Sequence, residues 1–142
     1  MRISIPLGIK LICLVYIANT ALFVISLILF YSRILIFGNE AGAGFSYVIK
    51  FFFIFVPLFL YFRLPQLRKD AWVVAILFHI FFLVNNASNY LEYMGYSYSI
   101  VHITGLYGSE IYSPAQALIF TLSAIINLLI LGYLYKRRHI FQ

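Results

Sequence analysis

Five residues sit where polar chemistry is costly. His79, Asn86, Asn19, Ser123 and Asn127 lie inside long apolar runs, where a polar side chain loses its water and must find a partner in the protein. His79 offers the widest range of roles, because an imidazole titrates near neutrality and can hold a ligand, pass a proton or ligate a metal. At about 100° per residue, Trp72, Ala75, His79, Phe82, Asn86, Tyr90 and Tyr93 fall along one helical face. Gln116, Ser123 and Asn127 form a second stripe, and Tyr16, Asn19, Thr20, Phe23 and Ser26 a third. The run around Pro57 has no comparable stripe. A helical rise of about 1.5 Å per residue puts His79 and Ser123 near the middle of their runs, with Asn19 and Asn127 within roughly 5 Å of that level. An intramembrane polar cluster of these five residues is expected.

The chemistry that is missing narrows the classes. No Gly-rich phosphate loop, Ser-His-Asp pattern or pair of carboxylates within an apolar run occurs, which argues against an enzyme and against carboxylate-driven transport. Cys13 is the single cysteine, so no intrachain disulfide, Cys-x-x-Cys pair or thiolate metal cluster can form. Glu92, His102 and Glu110 have no recognised metal-ligand spacing, and no metal site is expected. Haem held by two histidines needs a second histidine at membrane depth, whereas His102 and His139 lie outside the apolar runs. No cofactor is expected from the chain alone; haem or a pigment on His79 would need a second ligand from another copy or a partner subunit.

The elements that position these residues follow from composition. The 142 residues are 64% hydrophobic, 20% aromatic and 10% charged, too few charges to wet the surface of a soluble domain. The sequence predicts an all-α, integral membrane four-helix bundle forming a single transmembrane domain, with spans at 11–32, 45–62, 71–90 and 114–135 and an outer loop at 91–113. Pro57 is expected to kink the second span, and Lys50 to snorkel toward the headgroups. The N-terminus has the basic flank of a signal peptide, but the first apolar run exceeds the usual length, so a retained span is expected.

Charge sets the orientation. The formal charge is +6, but the basic residues are dispersed among segments rather than gathered on a wet face, so no nucleic-acid partner is expected. With both termini cytoplasmic, Arg2, Lys10, Arg63, Arg68, Lys69, Lys136, Arg137 and Arg138 are inside and only Arg33 and Lys50 outside, as the positive-inside rule favours. The outer loop then gathers tyrosines. Tyr93, Tyr96, Tyr98 and Tyr107, with His102, make a candidate docking loop, since tyrosine suits both membrane interfaces and protein contacts.

Three segments carry a resemblance: Pro6-Leu7-Gly8-Ile9 before the first span, Arg68-Lys69-Asp70-Ala71-Trp72 opening the third, and Tyr133-Leu134-Tyr135-Lys136-Arg137-Arg138 closing the fourth. Together they resemble a loosely defined group of small prokaryotic four-span integral membrane proteins whose function is not established. Ile5 stands where members of that group often carry a basic residue. The resemblance implies a multi-pass protein of the prokaryotic cytoplasmic (inner) membrane and carries over no catalytic residue.

Three functions compete on these observations. A non-catalytic accessory or structural subunit of a larger membrane complex fits the small soluble portion and the aromatic surface best; its partners would be the lipid bilayer and other membrane-protein subunits or further copies of the chain. A small oligomeric transporter or channel with a polar site around His79 comes second. A haem-, quinone- or pigment-binding subunit is third.

Overall fold

The structure, a computed structural model, describes residues 5–29, 34–37, 39–40, 42–93 and 114–141. Among them four long helices form the expected all-α four-helix bundle: α1 (Leu7–Leu29), α2 (Ala43–Arg63), α3 (Lys69–Tyr93) and α4 (Pro114–Lys136). All four are long and apolar enough to cross a membrane, the make-up of a multi-pass membrane protein. A helix satisfies its own backbone groups, which is why runs of this length and apolarity take that form in hydrocarbon. α1 starts four residues before the predicted span, at Leu7, because Pro6 fits the approach to a first turn: its carbonyl accepts from the Ile9 and Lys10 amides at 3.0 and 3.3 Å.

α1 packs mainly on α2 and α3 mainly on α4. The two hairpins are joined by a tight corner, a turn of 3-10 helix at Leu64–Gln66 followed by Leu67 in a left-handed conformation (φ 55°). Asp70 takes Arg68 at 3.1 Å and Arg63 at 3.4 Å across this corner. These ion pairs are solvent-exposed and contribute little to stability. The core cluster beneath includes Ile9, Ile12, Tyr16, Phe53, Leu60, Leu64, Ala75, Phe78 and Leu134.

α2 runs unbroken through Pro57, although the ring leaves the Phe53 carbonyl without its helical donor. On its inner side Phe53 meets Phe23, Phe78, Phe81 and Phe82, with ring centroids 4.9 to 6.5 Å apart. Lys50 departs from expectation. Its side chain is 2% exposed and points inward, with Nζ 3.4 Å from the Ser26 carbonyl of α1. The Ser26 carbonyl offers an acceptor inside the bundle, and the side chain takes it in place of a path to the headgroups.

The first connection contains a small hairpin, β1 (Leu35–Ile36) against β2 (Asn39–Glu40), paired antiparallel. It is docked on the bundle. The Phe37 amide, in a residue with φ 49°, donates to Asn85 Oδ1 of α3 at 2.8 Å, and the Phe37 ring meets Phe81 edge-on. A left-handed φ on a bulky residue is strained, and these two contacts hold it there.

At the chain ends, the Trp72 indole donates to the Leu134 carbonyl at 3.0 Å, satisfying one of the acceptors that a helix C-terminus leaves open. Nearby, α1 and α4 touch so closely that a Cβ on Gly8 would overlap the Tyr133 ring.

Candidate intramembrane polar site

Four of the five sequence-selected residues come together, and a tyrosine completes the group. His79 is 3% exposed on α3. Its Nδ1 lies 2.6 Å from Asn127 Oδ1 of α4, and its Nε2 lies 2.9 Å from the Tyr16 hydroxyl of α1. Asn127 in turn places Nδ2 2.7 Å from the Ser123 carbonyl and 3.3 Å from Ser123 Oγ. Asn86, two turns beyond His79 on the same face of α3, donates Nδ2 to Ser123 Oγ at 2.8 Å.

The direction of this chain of bonds can be worked out. A carbonyl only accepts, so the Ser123 carbonyl fixes the Asn127 amide with its nitrogen toward α4 and its oxygen toward the imidazole. The Asn127 oxygen must therefore receive the proton of His79 Nδ1. In the neutral ring Nε2 is then a lone pair, and it accepts from the Tyr16 hydroxyl. The sequence of donors runs Tyr16 to His79 to Asn127 to Ser123, with Asn86 adding a second donor at the end. It crosses from α1 through α3 to α4. Haem or pigment ligation through Nε2 would have to displace the Tyr16 bond.

Asn19 is placed differently. It is half-buried beside the group and makes no side-chain hydrogen bond to another described residue. Tyr16, one helical turn earlier in the same stripe, takes the position expected for it. The longer tyrosine side chain brings its hydroxyl within bonding distance of the imidazole.

Two buried asparagines were overlooked at the sequence level: Asn85 and Asn89. Asn85 accepts from the hairpin rather than from the polar group. The signal was present, because adjacent residues on a helix cannot share a face; Asn85 beside Asn86 demanded a second set of partners. Tyr90, at the far end of the expected inward face, is 40% exposed.

A cavity of about 460 Å³ adjoins the group. Its floor carries Tyr16, Asn19, Phe78, His79, Phe82 and Asn127, and its rim is aliphatic, formed by Val15, Leu22, Ile119, Leu122 and Ile126. Its described lining comes from α1, α3 and α4. Among the described residues, no three His, Cys, Asp or Glu side chains converge as metal ligands do. Of the candidate docking loop, Tyr96, Tyr98, His102 and Tyr107 lie outside the described residues, and Tyr93 is placed only as the last residue of α3.

No family model, curated protein or solved structure matches the chain.

Proposed function

We propose that this protein is a non-catalytic integral membrane protein, with both termini cytoplasmic, that acts by association as an accessory or structural subunit of a larger membrane complex. The observation that carries this reading is the outer row of α2. Phe45, Val48, Phe52, Phe55, Phe59 and Phe62 follow one another at alternating intervals of three and four residues, and each is at least 40% exposed. That spacing is the seam of a left-handed helix pair, and five of its six members are rings. The corresponding outer row of α1, Leu7, Leu11, Leu14, Ala18, Ala21, Ile25 and Ile28, is aliphatic. Lipid alone accounts for an aliphatic row. Rings supply large contact area at low entropic cost and suit a protein neighbour.

The orientation rests on the distribution of basic residues, and the prokaryotic cytoplasmic membrane on the resemblance of the three sequence segments. Binding to nucleic acid and catalysis form no part of this reading. The test is co-purification from native membranes in mild detergent, comparing the natural chain with a variant in which Phe55, Phe59 and Phe62 are all changed to Leu, leaving Phe52, which also meets Phe78 and Phe81 of α3, in place. The expected result is a larger assembly that the variant loses while keeping its own helix content. A monodisperse oligomer of this chain alone, with vesicle uptake abolished by His79→Ala, would replace this reading with a small transporter.

A further inference from the structure

The cavity beside His79 is a groove in the side of the bundle. Its rim residues Val15, Leu22, Ile119, Leu122 and Ile126 are each at least 40% exposed, so it opens laterally between α1 and α4. Nearer the chain termini α1 and α4 come together at Gly8 and Tyr133. His79 lies ten residues into α3, about 15 Å along the axis, which is half the thickness of a bilayer's hydrocarbon core. The opening is therefore at a depth reached only by lipid-soluble molecules.

The walls describe the occupant. None of the described residues lining the groove is charged, and a charged head brought to this depth would be left without a counter-ion at large desolvation cost. The molecule is thus neutral. Tyr16, Phe78 and Phe82 line the floor with the imidazole, surfaces that favour a flat ring, since aromatic groups gain by stacked or edge-to-face contact. A polar group remains to orient such a ring. Asn19 has no side-chain bond to any described residue, so its amide N–H is open to a carbonyl. The Tyr16 oxygen has given its hydrogen to His79 and lies buried beneath the ring's position, Tyr16 being 1% exposed, so half-buried Asn19 carries the polar contact. The aliphatic rim leads outward, where a tail would leave. At about 460 Å³ the groove falls within the roughly 300–1,000 Å³ usual for small-molecule sites.

We propose that the groove between α1 and α4 binds one neutral lipid-soluble molecule of the quinone class, its ring over Asn19, Tyr16 and His79 and its tail running out between Leu22 and Ile119. The groove shares no residue with the outer row of α2, so this site stands or falls separately from association through that row.

The experiment uses the full chain in lipid nanodiscs with a benzoquinone bearing an azide and one short prenyl chain. Labelling on irradiation is mapped by mass spectrometry, with unlabelled short-chain quinone as competitor. The expected result is saturable, competable labelling confined to 15–22 of α1 and 119–126 of α4. Asn19→Leu should weaken it about tenfold through loss of one hydrogen bond. Leu122→Trp, which fills the mouth, should abolish it, and Leu129→Trp, on the outer face, should leave it unchanged. Unsaturable labelling spread over the outer faces, or full labelling of Leu122→Trp, overturns the proposal. Should Leu122→Trp fail to fold by circular dichroism, Asn19→Leu decides, because Asn19 has no internal bond to lose; undiminished affinity there overturns the proposal as well. A photo-crosslinking residue placed at Leu122 in cells provides the other arm: capture of another polypeptide would give the groove to a partner helix and end the quinone assignment.

Discussion

The two sides of α3 are held in different ways. Toward α2 it is joined by rings: Phe78, Phe81 and Phe82 interlock with Phe52 and Phe53 in tilted and edge-on pairs. Toward α1 and α4 it is joined by a directed series of hydrogen bonds centred on His79. The ring contact is the narrower of the two, since α3 packs mainly on α4. Beside the hydrogen bonds α1 and α4 leave a groove, because bonds made through His79 fix atoms about 3 Å apart but do not require those two helices to meet. Within hydrocarbon, helices gain no hydrophobic drive from packing on one another. Ring packing then carries the contact with α2, and satisfaction of polar groups links α1 to α4 through α3 beside the groove.

Substitutions can break this comparison or sharpen it. The largest effect is expected on the ring side. Phe53→Ala removes a nearly fully buried ring with four ring partners on α1 and α3, and should cost about 3 kcal/mol in reversible unfolding in mixed micelles. A cost below that of the polar variants would reverse the assignment of roles.

A smaller loss is expected for Tyr16→Phe. It keeps the ring but strips the donor from His79 Nε2, and about 1 kcal/mol should be lost by the same measurement. Pairing Tyr16→Phe with Asn127→Ala in a double-mutant cycle should show a coupling between the two changes, since both act through one imidazole. Strict additivity would mean that the bonds at Nε2 and Nδ1 do not form a continuous series.

Asn86→Ala should cost less, about 0.6 kcal/mol, the average for a hydrogen bond between membrane helices. Ser123 Oγ still keeps its contact with Asn127 in that variant. The smallest effect carries the opposite sign. Thr20 buries a hydroxyl with no partner among the described residues, so Thr20→Val, which preserves shape and removes the unmet group, should be neutral or stabilising by up to about 1 kcal/mol. Destabilisation would reveal a partner for the Thr20 hydroxyl.

Much of this architecture was legible in the residues. Apolar runs that cannot leave backbone groups unpaired must become helices, so the four helices and their approximate ends followed from composition; α4 matches its predicted start and differs by one residue at its end. Helical periodicity also told which polar residues share a face, because that depends only on the local backbone. His79 and Asn86, or Ser123 and Asn127, therefore needed no tertiary information to be grouped. What lay beyond the sequence was how the faces meet. Axial shift and crossing angle between helices arise from side-chain packing at many points at once, and they decide that Tyr16 reaches His79 while Asn19 is left facing the groove. The same packing turns Lys50 inward to the Ser26 carbonyl and seats Phe37 against Asn85. Periodicity gives each helix its faces, but only the assembled bundle assigns each face its neighbour and leaves the groove beside His79.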